Sequence, residues 1–314
     1  MQMIPVLIIT HHPMPEFFEE LPVLLAQFEK VIIVDNASAE KSIDRLKQVV
    51  AQNNKDNLIV FFNSQNLGIA SALNQGFRWA MNQGYEFLFV LDQDSRITSN
   101  LIHELLSAYE THLHRERLAI ISPSIVDELT GELAPVLCWK DPLLEKRLSQ
   151  SEILEDVAVV ITSGSLNILS AYQQIGPFRE DFFIDYVDTE YCLRSHTNGY
   201  EIAVACKAVL YHRLGKQQKK QIGSLILRPT FHSPRRWYYI QRNRIIMYGL
   251  YFLRLPAWVV YDFFVGVYAF LKMLLYEDYK SKKTLATFLG VIDGLTCRMG
   301  PISTNRLSQI EPPD

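Results

Sequence analysis

Over residues 1–120 short apolar runs alternate with segments of helical period, which restricts this part of the chain to βαβ units and a mostly parallel sheet. Val6-Ile9, Val31-Val34, Leu58-Phe62 and Phe87-Leu91 read as strands, and each ends in polar residues. Between the third and fourth, Ile69, Ala72, Leu73, Phe77, Ala80 and Met81 keep helical spacing, with Gly84 placed to close the helix. Beyond Ser99 the pattern predicts a helix to about His114, strands near Leu118-Ile121 and Val157-Ile161, helices from Asn167 to Ile175 and from Asp188 to Gly199, and a last strand over Ala203-Tyr211.

In an open α/β sheet ligands bind outside the carboxyl ends of the strands, so the polar residues there carry the functional argument. Leu91-Asp92-Gln93-Asp94-Ser95 ends the fourth strand with two carboxylates one residue apart, a pair able to hold Mg²⁺ or Mn²⁺ against a diphosphate; a solvated loop is the plainer reading of the same residues. Asp35 and Asn36 follow the second strand. The Asp35 carboxylate suits the imide N–H of a pyrimidine, or serves a turn. Asn66 and Gly68, with Asn74 two helical turns on, put amides and backbone N–H groups at a helix N-terminus, where an anion is favoured; a tightly packed helix explains them equally. There is no Walker lysine and no Gly-x-Gly-x-x-Gly.

Asp185, Asp188 and Glu190 lie beside aromatic residues, where partial burial raises the proton affinity that a general base needs. Asp188 also suits a helix N-cap, and Glu190 a first-turn acid. His212 ends an apolar run and could complete a divalent site with Asp92 and Asp94, or be structural.

At 48% hydrophobic and 21% charged residues the chain is not disordered, and a net charge of −3 gives no reason to expect nucleic acid as a partner. Charge is uneven, however: Arg213, Lys216, Lys219, Lys220, Arg228, Arg235, Arg236, Arg242 and Arg244 fall in one segment with no Asp or Glu. Cys138, Cys192, Cys206 and Cys297 form no Cys-x-x-Cys pair, which points to reduced thiols rather than zinc or disulfides. With no basic, apolar leader at Met1 to Thr10, a cytoplasmic location is expected. Leu255 to Tyr276 holds only Asp262 and Lys272 as charges; a carboxylate at mid-span costs about 2.5–3.5 kcal/mol on insertion scales, so an interfacial helix is expected over a span, with packing on the protein's own core or a second subunit as the alternative.

Taken in order, these segments resemble the family-2 inverting glycosyltransferases of the GT-A fold, and among them bacterial rhamnosyltransferases of surface-polysaccharide synthesis. The resemblance rests on Ile9-Thr10, VDNAS at 34–38, NLGIASALNQG at 66–76, LDQDS at 91–95, TSGSLNI at 162–168, FFIDYVDTEYCLR at 182–194 and LYH at 210–212, and covers residues 3 to 244. It implies an α/β GT-A domain (1–232) followed by a helical, aromatic and basic region (233–314) that associates with membrane or oligomerises. It implies donor contacts from Thr10, Asp35, Asn36, Asn66, Gly68, Asn74, Asp92 and Gln93, and metal ligation (Mg²⁺ or Mn²⁺) by Asp94, Asp92 and His212. Asp188 would be the base, and Ser163, Gly164, Asp185 and Glu190 would line the sugar and acceptor pocket. The departures are His11-His12 after Thr10, where the family usually has an aromatic and then Asn, and Val187 where it often has Glu before the base.

The expected activity is transfer of L-rhamnose from dTDP-L-rhamnose to a lipid-linked saccharide in surface-polysaccharide or O-antigen synthesis, at the inner face of the cell membrane. The alternatives are a UDP-hexose or UDP-N-acetylhexosamine transferase of the same fold, and a non-catalytic sugar-nucleotide-binding part of an assembly complex. A pyrophosphorylase should carry a Gly-rich, basic N-terminal loop, which Ile9-Thr10-His11-His12-Pro13 is not.

Overall fold

The computed structural model describes residues 4–53, 56–149, 151–212, 220–222, 225–227 and 231–311. Arg213, Lys216, Lys219 and Arg228 of the basic segment lie outside them. The strands are β1 (Val6–Thr10), β2 (Val31–Asp35), β3 (Leu58–Phe62), β4 (Phe87–Asp92), β5 (Ser95–Ile97), β6 (Leu118–Asp127), β7 (Val136–Lys140), β8 (Leu143–Arg147), β9 (Ile153–Leu154), β10 (Val157–Val159), β11 (Leu166–Ile168), β12 (Glu201–His212), β13 (Lys220–Ile222) and β14 (Leu225–Leu227). The α-helices are α1 (Pro15–Gln27), α2 (Glu40–Gln52), α3 (Ile69–Asn82), α4 (Leu101–Thr111), α5 (Leu169–Ile175), α6 (Val187–Thr197), α7 (Pro234–Tyr251), α8 (Pro256–Tyr276), α9 (Lys280–Leu295) and α10 (Thr304–Ile310).

The chain divides into two compact units, one of Met1–Trp139, Glu145–Glu180 and Val187–Arg213, the other of Lys140–Leu144, Asp181–Tyr186 and Leu214–Asp314. In the first unit the main sheet runs β3-β2-β1-β4-β11-β6-β12-β5, with β9 paired to β12. β1, β2, β3 and β4 pair in parallel, as do β6 and β12, while β11 lies antiparallel between β4 and β6. Strands buried on both faces explain why the sequence shows continuous apolar runs: β2 has no exposed residue and β4 is buried through Leu91.

Two departures from the sequence pattern matter for the site. The segment from Asn167 is not all helix: Leu166–Ile168 forms β11 before α5 begins, because the paired edges of β4 and β6 both need a partner. The segment near Val157 contributes to a separate small sheet, β10-β7-β8.

The chain passes from β1 to β2 and β3 on one side, then returns to place β4 on the other side of β1, with Ile9 in register with Asp92. That reversal is a topological switch point, where diverging connections leave a crevice at the strands' carboxyl ends. Helix α3 is pressed onto β1 there. A Cβ on Gly76 would overlap both Cδ atoms of Leu7, itself without exposed surface, so only glycine permits the approach.

The second unit is built on α7. Phe183, Trp237, Tyr238, Tyr239, Met273, Ala286 and Leu289 belong to its apolar cluster. Asn243, fully buried, donates to the carbonyls of Phe182, Ile184 and Asp185, and Arg242 donates to that of Phe182. These bonds hold a turn in which Phe183, Asp185 and Tyr186 all have positive φ, strain that the turn could not keep unaided.

Gly76→Ala should cost about 1–3 kcal/mol through overpacking at Leu7, read as a lower urea midpoint with an unchanged slope; an unchanged midpoint would show that α3 can move off β1.

Candidate active site

Asp92 is the last residue of β4 at the switch point, and two devices fix its direction. Its backbone N–H donates to Ser163 Oγ at 3.0 Å; Ser163 Oγ is hydrogen-bonded to Ser95 Oγ at 2.8 Å, and Ser95 Oγ to His212 Nδ1 at 2.7 Å. The sheet makes this chain possible, since β5 pairs with β12 so that Ser95 faces His212 in register. Gly164 closes the turn before β11: its φ is +79°, its N–H donates to Val90 O at 2.7 Å, and a Cβ would meet Leu210 at 2.6 Å. Ser163 and Gly164, expected at the sugar pocket, here act on the placement of Asp92.

Asp92, Asp94 and His212 each present a ligand atom, all within 4.8 Å of one another. Asp94 is exposed and lines a surface cleft with Met14, Phe17, Gln93 and Glu128, and its Oδ1 lies 4.0 Å from His212 Nδ1. Burial, then the charges of Asp94 and Asp188, push the Asp92 carboxyl up to about 7. Burial lowers the His212 proton affinity against the opposing pull of Asp94, Asp127 and Glu128, which favours the neutral, ligating imidazole. Two carboxylates and an imidazole of lowered proton affinity, each presenting a ligand atom, fit a divalent cation.

Asp188 stands in the first turn of α6, with its Oδ1 accepting the Thr189 N–H at 2.7 Å. Its charge, after burial and the charge of Asp94, adds to the proton affinity of Asp92.

The remaining expected residues are placed less directly. Thr10 and Asp35 have no exposed surface; Asp35 accepts from Thr10 Oγ1 at 3.0 Å, from Ser38 Oγ at 2.5 Å and from the Ser38 N–H at 3.0 Å. A nucleotide reaching that carboxylate has to open this turn. Asn36 binds Asn63, Asn66, Leu67 N and Gly68 O, joining the end of β2 to the loop before α3.

Two polar residues expected as ligand contacts, Asn74 and Glu190, are latches instead. Asn74 is wholly buried and uses its amide on Phe178 O, Glu180, Tyr172 Oη and Phe178 N, so it is not available to a diphosphate. Glu190 is buried against Arg194, which also donates to Ile175 O and Pro177 O. Gln93 takes the N–H and carbonyl of His11, tying β4 to β1. Asp185 belongs to the second unit and pairs with Arg236 at 3.0 Å.

Sequence reasoning assigned no role to Ser95 or His12. Ser95 was visible as the hydroxyl directly after the second carboxylate. His12 accepts the Ala39 N–H on Nδ1 while its own N–H donates to Ser38 Oγ, so the unusual His11-His12 pair organises the loop after β1.

Residues 11–176 match the family described as Glycosyl transferase family 2. The dTDP-rhamnosyl transferase RfbF of Shigella flexneri is 31% identical over 219 residues, 69% of this chain and 70% of that protein. Among solved structures, GalNAc-T7 with UDP, GalNAc and Mn²⁺ has a TM-score of 0.60 at 11% identity over 82% of this chain, which spans about half (49%) of that chain. S. aureus TarS 1–349 has 0.53 at 14% (95% of this chain, 82% of that one), and a Pyrobaculum calidifontis mannosyltransferase with GDP-Man and Mn²⁺ has 0.52 at 13% (93% and 86%). At these identities the structures establish the fold alone, a GT-A-like sheet.

Cation binding must displace the Asp92 proton below about pH 7, while burial holds the His212 proton affinity down. Mn²⁺ affinity measured by calorimetry should therefore fall roughly tenfold per pH unit below about 7 and level off above it. The slope should vanish in Asp92→Asn; a wild-type affinity independent of pH would place the cation elsewhere.

Proposed function

As this chain belongs to glycosyl transferase family 2, we propose that it moves L-rhamnose from dTDP-L-rhamnose to a hydroxyl of a saccharide acceptor, with inversion at the anomeric carbon. That it is a glycosyltransferase follows from the family. The observation that supports the mechanism is the clustering of ligand atoms from Asp92, Asp94 and His212 at the switch point, with the charge of Asp188 acting on Asp92. Preference for rhamnose is supported by the Shigella relative, whose name carries that donor, and by the Leu91-Asp92-Gln93-Asp94-Ser95 form of the strand end.

A divalent cation, Mg²⁺ or Mn²⁺, held by Asp92, Asp94 and His212 would supply positive charge against the departing diphosphate. Asp188 takes the proton from the acceptor hydroxyl as that oxygen bonds to the anomeric carbon. The bond from that carbon to the diphosphate oxygen breaks on the opposite face, and its electron pair leaves with the nucleotide. A single base suffices because no covalent enzyme intermediate forms. The hydroxyl chain through Ser163 and Ser95 keeps His212 and the end of β4 in fixed relation, so the ligands need little rearrangement. An acceptor carried on a lipid diphosphate accords with the seven cations from Arg213 to Arg236 and with a location at the inner face of the membrane.

The test is nucleotide release from dTDP-rhamnose and a set of UDP-sugars in the presence of acceptor. Turnover with dTDP-rhamnose is expected, and turnover with a UDP-sugar alone would refute the donor. Asp188→Asn should lower transfer by about 10²–10⁴-fold while leaving donor binding within a few-fold. An unimpaired Asp188→Asn would remove it as the base.

A further inference from the structure

The outer face of α8 carries no function so far, and its composition is unlike that of a solvated helix. Among its 21 residues the exposed ones include Val260, Phe263, Phe264, Val267, Leu271 and Leu275, and none of its exposed side chains is charged. Only 28% of its most apolar 18-residue window is buried, at a mean hydropathy of 1.6. A helix apolar all round normally has protein or lipid on every side. Among the described residues α8 is the one helix long and apolar enough to cross a membrane.

The buried face argues against crossing. Asp262 lies on it, ion-paired to Arg244 at 2.9 Å and accepting from the hydroxyls of Tyr186 and Tyr248. Trp258, Val259 and Met273 are buried on the same side. Drawing α8 out as an independent span would break that pair and leave two charges without their partner, a cost far above that of breaking an exposed pair. The helix is therefore pinned by one face while the other remains apolar.

We propose that α8 lies in the plane of an anionic bilayer surface, its outer face seated about 5–10 Å deep at the boundary of headgroups and acyl chains, as a one-sided attachment rather than a span. The charge flanking the helix favours lipid as the occupant. Exposed Arg254 and Lys280 bracket the helix, and the sequence from Arg213 to Arg236 holds seven cations and no acid, whereas Arg242 and Arg244 are buried and take no part. Lys272 fits the same boundary: its ammonium lies 4.6 Å from the Tyr268 ring centroid, so its stem can stay in apolar surroundings while the charge reaches outward. A second copy on this face would bring the same cationic flanks together, whereas phosphatidylglycerol or a like headgroup neutralises them.

The test uses the full chain and vesicles of phosphatidylcholine with one quarter phosphatidylglycerol, set against phosphatidylcholine alone. Wild type should co-sediment with the anionic vesicles, and Phe263→Glu/Leu271→Glu should bind at least tenfold more weakly with an unchanged circular dichroism spectrum. Should that pair disturb the fold, Phe264→Ser/Val267→Ser gives the same reading. Cysteines placed by Arg254→Cys and Lys280→Cys should both react with an impermeant maleimide added outside, read peptide by peptide. Protection of one of the two would mean a span and overturn the proposal. Absence of wild-type binding, or equal binding by the face variants, would overturn it too. So would a wild-type dimer that these variants convert to monomer without any vesicle binding, which would assign the face to a second copy.

Discussion

Three hydrogen bonds in series, from the Asp92 N–H through Ser163 and Ser95 to His212, set the geometry of the candidate active site. They join β4, the turn before β11, β5 and the end of β12, four parts of the sheet that meet only because β11 is inserted antiparallel and β5 folds back onto β12. A carboxylate at a strand end is ordinarily free to sample several directions. Here the strand end is bound on one side to Ser163 and on the other to β1 through Gln93 and His11, so that Asp92 is held where its own ionisation is opposed by burial and by two further carboxylates. That opposition is the electrostatic counterpart of a cation site: the charges are stable together when a cation lies among them.

The order of strands supplies the rest. Reversal of direction between β3 and β4 leaves the crevice beside β1, and α3, seated on β1 through Gly76 and Leu7, brings the loop after β3 to the same end of the sheet. Buried amides lock this arrangement. Asn36 fastens the end of β2 to the loop before α3, and Asn74 fastens α3 to the chain at Phe178 and Glu180. The cost of burying these amides is met because each finds several partners.

The parallel core and its switch point were legible because strands buried on both faces leave continuous apolar runs, and the polar residues at their ends mark the crevice. Asp92, Asp94 and His212 could be grouped from the sequence since all three sit at strand ends. β11 was hidden: three residues, Leu166–Ile168, become a strand only by virtue of the edges on either side. Asn74 and Glu190 stand on either side of another limit. Their residue types suit a ligand, but Asn74 faces Phe178 through packing between segments roughly a hundred residues apart, of which residue type carries no trace, whereas Glu190 and Arg194 form an i, i+4 helix pair that the sequence does offer. Asp262 read as a flaw in an apolar helix until Arg244 appeared as its partner.

The central claim is that Asp92, Asp94 and His212 hold one divalent cation at the end of β4. Anomalous diffraction at the manganese edge, from crystals grown with MnCl₂ and dTDP, tests it most directly. The account requires a single strong peak within about 2.0–2.6 Å of ligand atoms from Asp92, Asp94 and His212. A peak bound elsewhere in the first unit, or none in crystals that contain the nucleotide, would contradict it.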